Sequence, residues 1–311
     1  MKILFMGTPD IAAACLDALL SDGQQVVGVV TQADRPRGRG YTLTPPPVKV
    51  LAQEKGIPVY QPATLRDEAF AEILAVMDPD LIAVVAYGKI LPSSVLRYPK
   101  HGCINVHASL LPKYRGAAPI QRAIMEGENV TGITTMYMEE GLDTGDMLLT
   151  EEIAIGATDD FGTIHDRMAE VGGRLLCQTI HAIADGTVVR RKQDDALATY
   201  AAKIEKADCH LDLTRSAAAL DPYIRGLSPI PLSFVRCPDG KMLKIVRAEA
   251  SEGRGAPGEV LALDDRGEGG ILIACGEGAL LLREIVPEGK GKMRAADFIR
   301  GRRLKIGEVL T

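Results

Sequence analysis

From its first residues the chain alternates short, unbroken apolar runs with longer stretches in which apolar residues recur every three or four positions. KILFMG precedes DIAAACLDALLSDG, QVVGVVTQ precedes a loop and VKVLAQEKG, PVYQP precedes TLRDEAFAEILAVMD, DLIAVVAYG precedes a short PSSVLRYP, and GCINVHAS follows. A strand that is apolar on both faces needs cover on both, and helix-period segments between such strands supply it. The pattern predicts an α/β fold, a doubly wound and mostly parallel Rossmann-like sheet. TGITTMYMEE then alternates with period two, and with the turn GLDTGD and the run MLLTEEIAI it reads as a more antiparallel closing pair. A long helix is expected from about Asp160 to Asp185, stopped at Gly186.

The pattern changes at residue 187. TVVRRKQDDALATYAAKIEKA is polar, mixed in charge and weakly periodic, which suits a linker crossing a surface. A helix is expected around 212–226, and then five short runs follow, PLSFVRC, MLKIVRAEA, GEVLALDD, GILIACG and ALLLREIV, parted by Gly, Asp and Pro turns. These predict a second, smaller β-barrel, OB-like in type. The expected organisation is a catalytic domain at 1–187, a linker at 188–207 and a C-terminal barrel domain at 208–311.

Composition narrows the setting. With 311 residues, 46% of them hydrophobic and 25% charged, the chain suits a globular protein of two domains rather than a disordered one. MKILFMGTPD has one basic residue before its apolar stretch and soon meets Gly7, Pro9 and Asp10, so it reads as a first strand and not as a signal peptide. No run of about 18 apolar residues is present to span a bilayer, so no membrane partner is expected. The six cysteines are scattered without a CxxC pair, as for reduced thiols in a cytoplasm, and the five histidines form no ligand motif, so no metal is expected. The net charge of −5 argues against wholesale nucleic-acid binding. Two basic islands nevertheless stand out, Arg35, Arg37, Arg39 and Lys49 in one and the stretch 283–305 in the other.

One strand carries chemistry. In GCINVHAS, Asn105 and His107 lie two residues apart and share a face, at the carboxyl end of a strand, where open parallel sheets bind ligands. An amide that can hold a developing oxyanion beside an imidazole that can move protons suits acyl-type transfer. The bland alternative is a turn-capping Asn and a satisfied core His. Against it stands the long connection SLLPKYRGAAP, whose Leu110 and Leu111 a merely solvated loop would not need. Asp143, in a Gly-flanked turn, is placed to orient the His107 ring and stabilise its charged form; Glu139, Glu140 and Asp146 are rival carboxylates. MGTPD lacks the full GxGxxG fingerprint and reads as a strand-to-helix turn, with Gly7 allowing close backbone approach. QADRPRGRGYTLTPPPVK is longer than an ordinary connection and rich in arginine, as a loop that grips a polyanion would be.

At these residues the sequence resembles the methionyl-tRNA formyltransferases. The likeness runs essentially from end to end, through MGTPD, VVGVVTQADRPRGRG, PPPVKVLA, VVAYGKILP, GCINVHASLLPKYRGAAPIQRAI and GITTMYMEEGLDTGDML. HASLLPKYRG with LDTGD is shared with the wider folate-dependent formyltransferases, whereas DRPRGRG, TPPPVKVLA and a β-rich C-terminal domain resemble the tRNA-acting members. The resemblance implies formyl transfer from 10-formyltetrahydrofolate, as co-substrate, to the α-amino group of methionyl initiator tRNA, for translation initiation. It implies Asn105, His107 and Asp143 as catalytic residues, and it puts folate beside Ser109, Leu110, Leu111 and Pro112 and beside Ala86, Tyr87, Gly88, Ile90 and Leu91. It also implies tRNA contact through residues 33–49, with Arg35, Arg37, Arg39 and Lys49, and through the C-terminal domain. A cytoplasmic monomer suffices for this chemistry.

Two departures from the resemblance are visible. GRG is followed by YTLT where relatives often carry lysines, and Ile230 stands between prolines where relatives often have Trp. Two other readings stay open from the sequence: a formyltransferase acting on a sugar nucleotide or purine precursor, and a non-catalytic nucleotide- or RNA-binding module.

Overall fold

The computed structural model describes residues 1–37, 42–301 and 304–311. Seven strands form the main sheet: β1 (Lys2–Gly7), β2 (Gln25–Val30), β3 (Val59–Tyr60), β4 (Leu81–Val85), β5 (Cys103–His107), β6 (Val130–Tyr137) and β7 (Met147–Ala154). Their order is β7-β6-β5-β4-β1-β2-β3. β1 pairs in parallel with β2 and β4, β2 with β3 and β4 with β5, whereas β6 runs antiparallel to β5. The predicted doubly wound sheet with its antiparallel closing strand is therefore present. Its continuous apolar runs have the expected cause, since every residue of β4 is buried.

Helices α1 (Asp10–Ser21), α2 (Pro47–Glu54) and α3 (Glu68–Met77) connect the parallel strands. The start of α3 is fixed by Asp67, whose carboxylate accepts from the Phe70 N–H at 3.0 Å. Gly7 ends β1 where a Cβ would lie 2.9 Å from the Val85 carbonyl oxygen, so only glycine lets the two strand ends meet as they do.

The chain divides into two units that interleave in sequence. The first takes Met1–Gly116, Thr131–Ala154 and His165–Tyr200, and the second takes Ala117–Val130, Ile155–Ile164 and Ala201–Thr311. The sequence predicts a catalytic domain at 1–187, a linker at 188–207 and a C-terminal domain at 208–311. In the second unit, however, helix α4 (Pro119–Met125) packs on helix α6 (Ala217–Leu227), and the long helix α5 (Phe161–Ala184) contributes its first turn. Gly226 makes the α4–α6 approach feasible, because a Cβ there would sit 2.8 Å from the Gln121 carbonyl oxygen. Arg122 adds an ion pair to Asp208 at 2.9 Å.

The rest of the second unit is antiparallel. Strands β8 (Ser233–Arg236), β9 (Met242–Ser251), β10 (Val260–Leu263), β11 (Ile271–Ala274), β12 (Ala279–Pro287) and β13 (Met293–Arg294) are followed by helix α7 (Ala295–Arg300). The order is β8-β9-β12-β11-β10, with β13 on β12. The two outer strands are bridged by the C-terminal residues: Thr311 exchanges backbone hydrogen bonds with Arg236 of β8, while Gly307, Glu308 and Leu310 bond to Gly258 and Val260 at β10. Leu220, Ile245, Val260, Ile273, Leu282 and Leu310 share the enclosed core. The helix expected from 212 begins only at 217, because Asp212 accepts from both the N–H and the hydroxyl of Thr214 in a turn and Ser216 caps the helix instead.

Candidate active site

β5 ends beside β4, with Val85 paired to Val106, and the sheet order reverses between β1 and β4. Loops leaving these ends therefore border the crevice in which open α/β sheets bind ligands. Alternation along β5 places Cys103, Asn105 and His107 on one face. Asn105 is half-buried, and among the described residues nothing hydrogen-bonds its side-chain amide, which leaves a donor for a substrate oxygen. Cys103 is buried, and burial pushes its thiol up to about 12, so it carries no thiolate near neutral pH.

His107 is 6% exposed and held at both ring nitrogens. Its Nε2 lies 2.9 Å from the Tyr114 carbonyl oxygen, and a carbonyl can only accept, so Nε2 carries a proton. Nδ1 then faces Asp143 Oδ2 at 3.7 Å. Neutral His107 offers a lone pair there; charged His107 offers an N–H with a carboxylate waiting.

Asp143 is fixed by its surroundings. Its backbone adopts φ 53°, a left-handed conformation that Asp tolerates better than most residues. Its Oδ2 accepts from the Gly116 N–H at 2.9 Å. Gln193 Nε2 donates to the carbonyls of Asp143 and Gly145, each at 2.8 Å. Arg115 grips the oxygen of the same amide through Nε at 3.0 Å and Nη2 at 2.8 Å. Two of the three rival carboxylates have other partners: Asp146 accepts from Arg190, and Glu140 from Ser93 and Arg97. Gln193, Arg115 and Thr199, which accepts from the Tyr114 N–H at 2.8 Å, were not singled out from the sequence. The segment containing Gln193 and Thr199 looked like solvated linker, and no local motif marks it.

The expected folate positions divide into two kinds. Ala86, Gly88 and Ile90 are exposed, Ile90 to 80%, and Leu110 and Pro112 are half-buried. Tyr87, Leu91, Ser109 and Leu111 are buried. The Tyr87 carbonyl accepts from Thr8 and from Gln32, and the Ser109 hydroxyl donates to the Lys113 carbonyl at 2.6 Å, so these residues hold the rim in shape. An apolar surface edged by backbone groups next to a polar pair suits a flat heterocycle.

In the basic loop, Arg35–Arg37 pairs antiparallel with Thr42–Thr44. The Arg35 guanidinium donates to Gln32. Arg39 lies outside the described residues. Lys49 is committed within the chain, with Nζ at 2.8 and 2.9 Å from the Asp34 carboxylate and 2.9 Å from Gln61 Oε1. Those bonds hold the Asp34 carboxyl below the usual carboxylate range. Four basic residues of the C-terminal island are paired as well, Arg283 with Glu249, Lys292 with Glu284, and Arg294 and Arg300 with Asp297, while Arg302 and Arg303 lie outside the described residues. Ile230 is 65% exposed. Among the described residues no group of three His, Cys, Asp or Glu could hold a metal ion, and no helix is long and apolar enough to cross a membrane.

Residues 1–180 match the formyl transferase family, and residues 203–303 match the formyl transferase C-terminal domain. The methionyl-tRNA formyltransferase of Citrifermentans bemidjiense is 49% identical over 312 residues, covering 100% of this chain and 96% of its own. That of Bacillus licheniformis is 46% identical, over 98% of this chain and 96% of its own. Among solved structures, HypX from Aquifex aeolicus in complex with tetrahydrofolic acid superposes with TM-score 0.66 at 18% identity, over 96% of this chain and 47% of HypX. The chain thus spans about half the length of HypX. An N-formyltransferase from Helicobacter canadensis, in complex with folinic acid and dTDP-3-aminofucose, gives TM-score 0.65 at 17% identity over 92% of this chain and 100% of its own. Likenesses this distant show the fold. With its family match over both regions and its full-length relatives, the chain belongs to the formyl transferase family and, within it, to the methionyl-tRNA formyltransferases.

Proposed function

We propose that this protein transfers the formyl group of 10-formyltetrahydrofolate to the α-amino group of methionine on initiator tRNA. The observation that carries the reading is the free Asn105 amide on the same strand face as a His107 ring that Asp143 backs at 3.7 Å. Formyltetrahydrofolate supplies an activated formyl carbon on N10. The amine adds to that carbon, forming the new C–N bond as the C=O electron pair moves onto oxygen; the double bond then reforms as the bond to N10 breaks, and the proton lost by the amine is returned to N10. Asn105 donates to the oxygen as it gains negative charge. His107 Nδ1 accepts the amine's proton and, as imidazolium paired with Asp143, gives it up to the leaving nitrogen, directly or through water. No covalent enzyme intermediate is needed.

The exposed Ala86, Gly88 and Ile90, with Leu110 and Pro112, would face the folate, and the buried Tyr87, Leu91, Ser109 and Leu111 would support that surface. Arg35, Arg37 and Arg39 would meet the acceptor end of the tRNA, with Lys49 bracing the root of their loop, and the 208–311 region would bind further along it. The protein would work as a monomer in the cytoplasm.

The test is direct. Purified protein given methionylated initiator tRNA and 10-formyltetrahydrofolate is expected to yield formylmethionyl-tRNA, detected by the mass of the released amino acid. Formylation of an amino-sugar nucleotide or a ribonucleotide amine, with none of the tRNA, would replace the acceptor; no formylation of any of them would sink the reading.

A further inference from the structure

Gln193 lies in the stretch that reads as a polar linker, yet it is 6% exposed and uses all four hydrogen-bonding positions of its amide, two donors and two lone pairs. Its two donors reach the carbonyls of Asp143 and Gly145, and its oxygen faces the Arg115 guanidinium. The orientation of the amide is forced by these partners. Turned over, it would set its oxygen against two carbonyl oxygens and its NH2 against a cation.

The neighbours of Arg115 give this clamp its reach. Tyr114 accepts from His107, Arg115 holds Gln193, and Gly116 donates to Asp143, so three consecutive residues each contribute to one shared arrangement. Gln193 closes it by tying the 143–145 turn to the 114–116 loop. Arg115 is steadied in turn by Asp195 at 2.8 Å, and its own N–H donates to the Thr199 carbonyl at 2.9 Å. The left-handed backbone at Asp143 is one that a free turn would readily leave, and the 3.7 Å between Asp143 and His107 has no bond of its own to keep it.

We infer that Gln193 is a positioning residue for the reaction: it sets the distance between Asp143 and the His107 ring while touching neither substrate. This rests on the function proposed above. The chemistry then depends on a segment outside the strand and turn that carry the reacting groups.

The test uses the full-length protein with Gln193→Ala and Gln193→Glu. Glutamate keeps an acceptor for Arg115 but sets its second oxygen against the two carbonyls, so Q193E should push the turn away, whereas Q193A removes the clasp without repulsion; circular dichroism and Tm establish that each variant is folded before its kinetics are read. Both variants are expected to lose about tenfold or more in kcat, with KM for tRNA and for the folate changed by no more than about twofold. In protein labelled with 15N-histidine, the ring resonances of His107 should shift in both variants. A folded variant with kcat within about twofold of wild type, a loss confined to KM, or unchanged His107 ring resonances would each overturn the assignment. Failure of the wild type to formylate any acceptor would defeat the functional reading instead, and the histidine spectra would still decide the clamp.

Discussion

A carboxylate 3.7 Å from a ring nitrogen is too far for a hydrogen bond, yet a water or a small closing movement can link the two. At that spacing Asp143 faces the ring without locking it in place. Replacing His107 or Asn105 by alanine is expected to lower kcat by about 10²–10³, the scale of losing a main transition-state contact. Folate binding, measured at equilibrium, should persist in both variants, because the residues proposed to face the folate are other ones. A variant with full turnover would refute the assigned roles. The shared face of Asn105 and His107 is legible in the strand periodicity, and glycines mark the turn that brings Asp143 to the ring. Gln193 was not legible. Its meaning arises only where it meets the Asp143 carbonyl, 50 residues away in sequence, and a linker glutamine looks the same whether solvated or clamped.

Among the elements, the basic hairpin stands on a polar root. Lys49, Asp34 and Gln61 bond to one another, and Gln61 also donates to the Gln32 carbonyl at 2.7 Å. The Asp34 carboxyl is held low by Lys49 first and Gln61 second, so its ionised form is favoured in the folded state. The stabilising effect is therefore present above the unfolded carboxyl value of about 3.9 and is lost as pH falls through the lower folded value. The protection factors of the Thr42–Thr44 amides, with the intrinsic pH dependence of exchange divided out, should stay constant down to about pH 4 and fall below it. Loosening that instead begins on raising the pH would refute this brace. Sequence periodicity forecast the sheet strands, whose apolar runs leave few alternatives. It did not show the short hairpin, which has too few apolar residues to make a pattern, nor that Lys49 spends its charge inside the chain.

At the scale of the molecule, the barrel-like second unit is sealed by its own C-terminal residues, which bond to both outer strands where those strands do not pair. A strand edge left open is a site for unwanted pairing, so the seam protects as well as stabilises. Leu310 anchors it, 1% exposed in the barrel core. Leu310→Ala should cost about 2–5 kcal/mol, read as a fall in denaturant midpoint. A change under about 0.5 kcal/mol would show that the seam is not held by its core contact. The barrel strands could be forecast from local runs, whereas the seam could not, because its pairing partners are set by closure of the whole sheet.

The interleaving of the two units has one more consequence. A cut made at 188–192, where the expected linker begins, would not yield two self-sufficient modules. The first fragment would keep α4, whose partner α6 lies in the second, and the second would carry off Gln193, whose partners Arg115 and Asp143 lie in the first. Each fragment would hold part of what the other needs, so the two halves are complements, and a split version of this chain would report its own reassembly through restored formyl transfer.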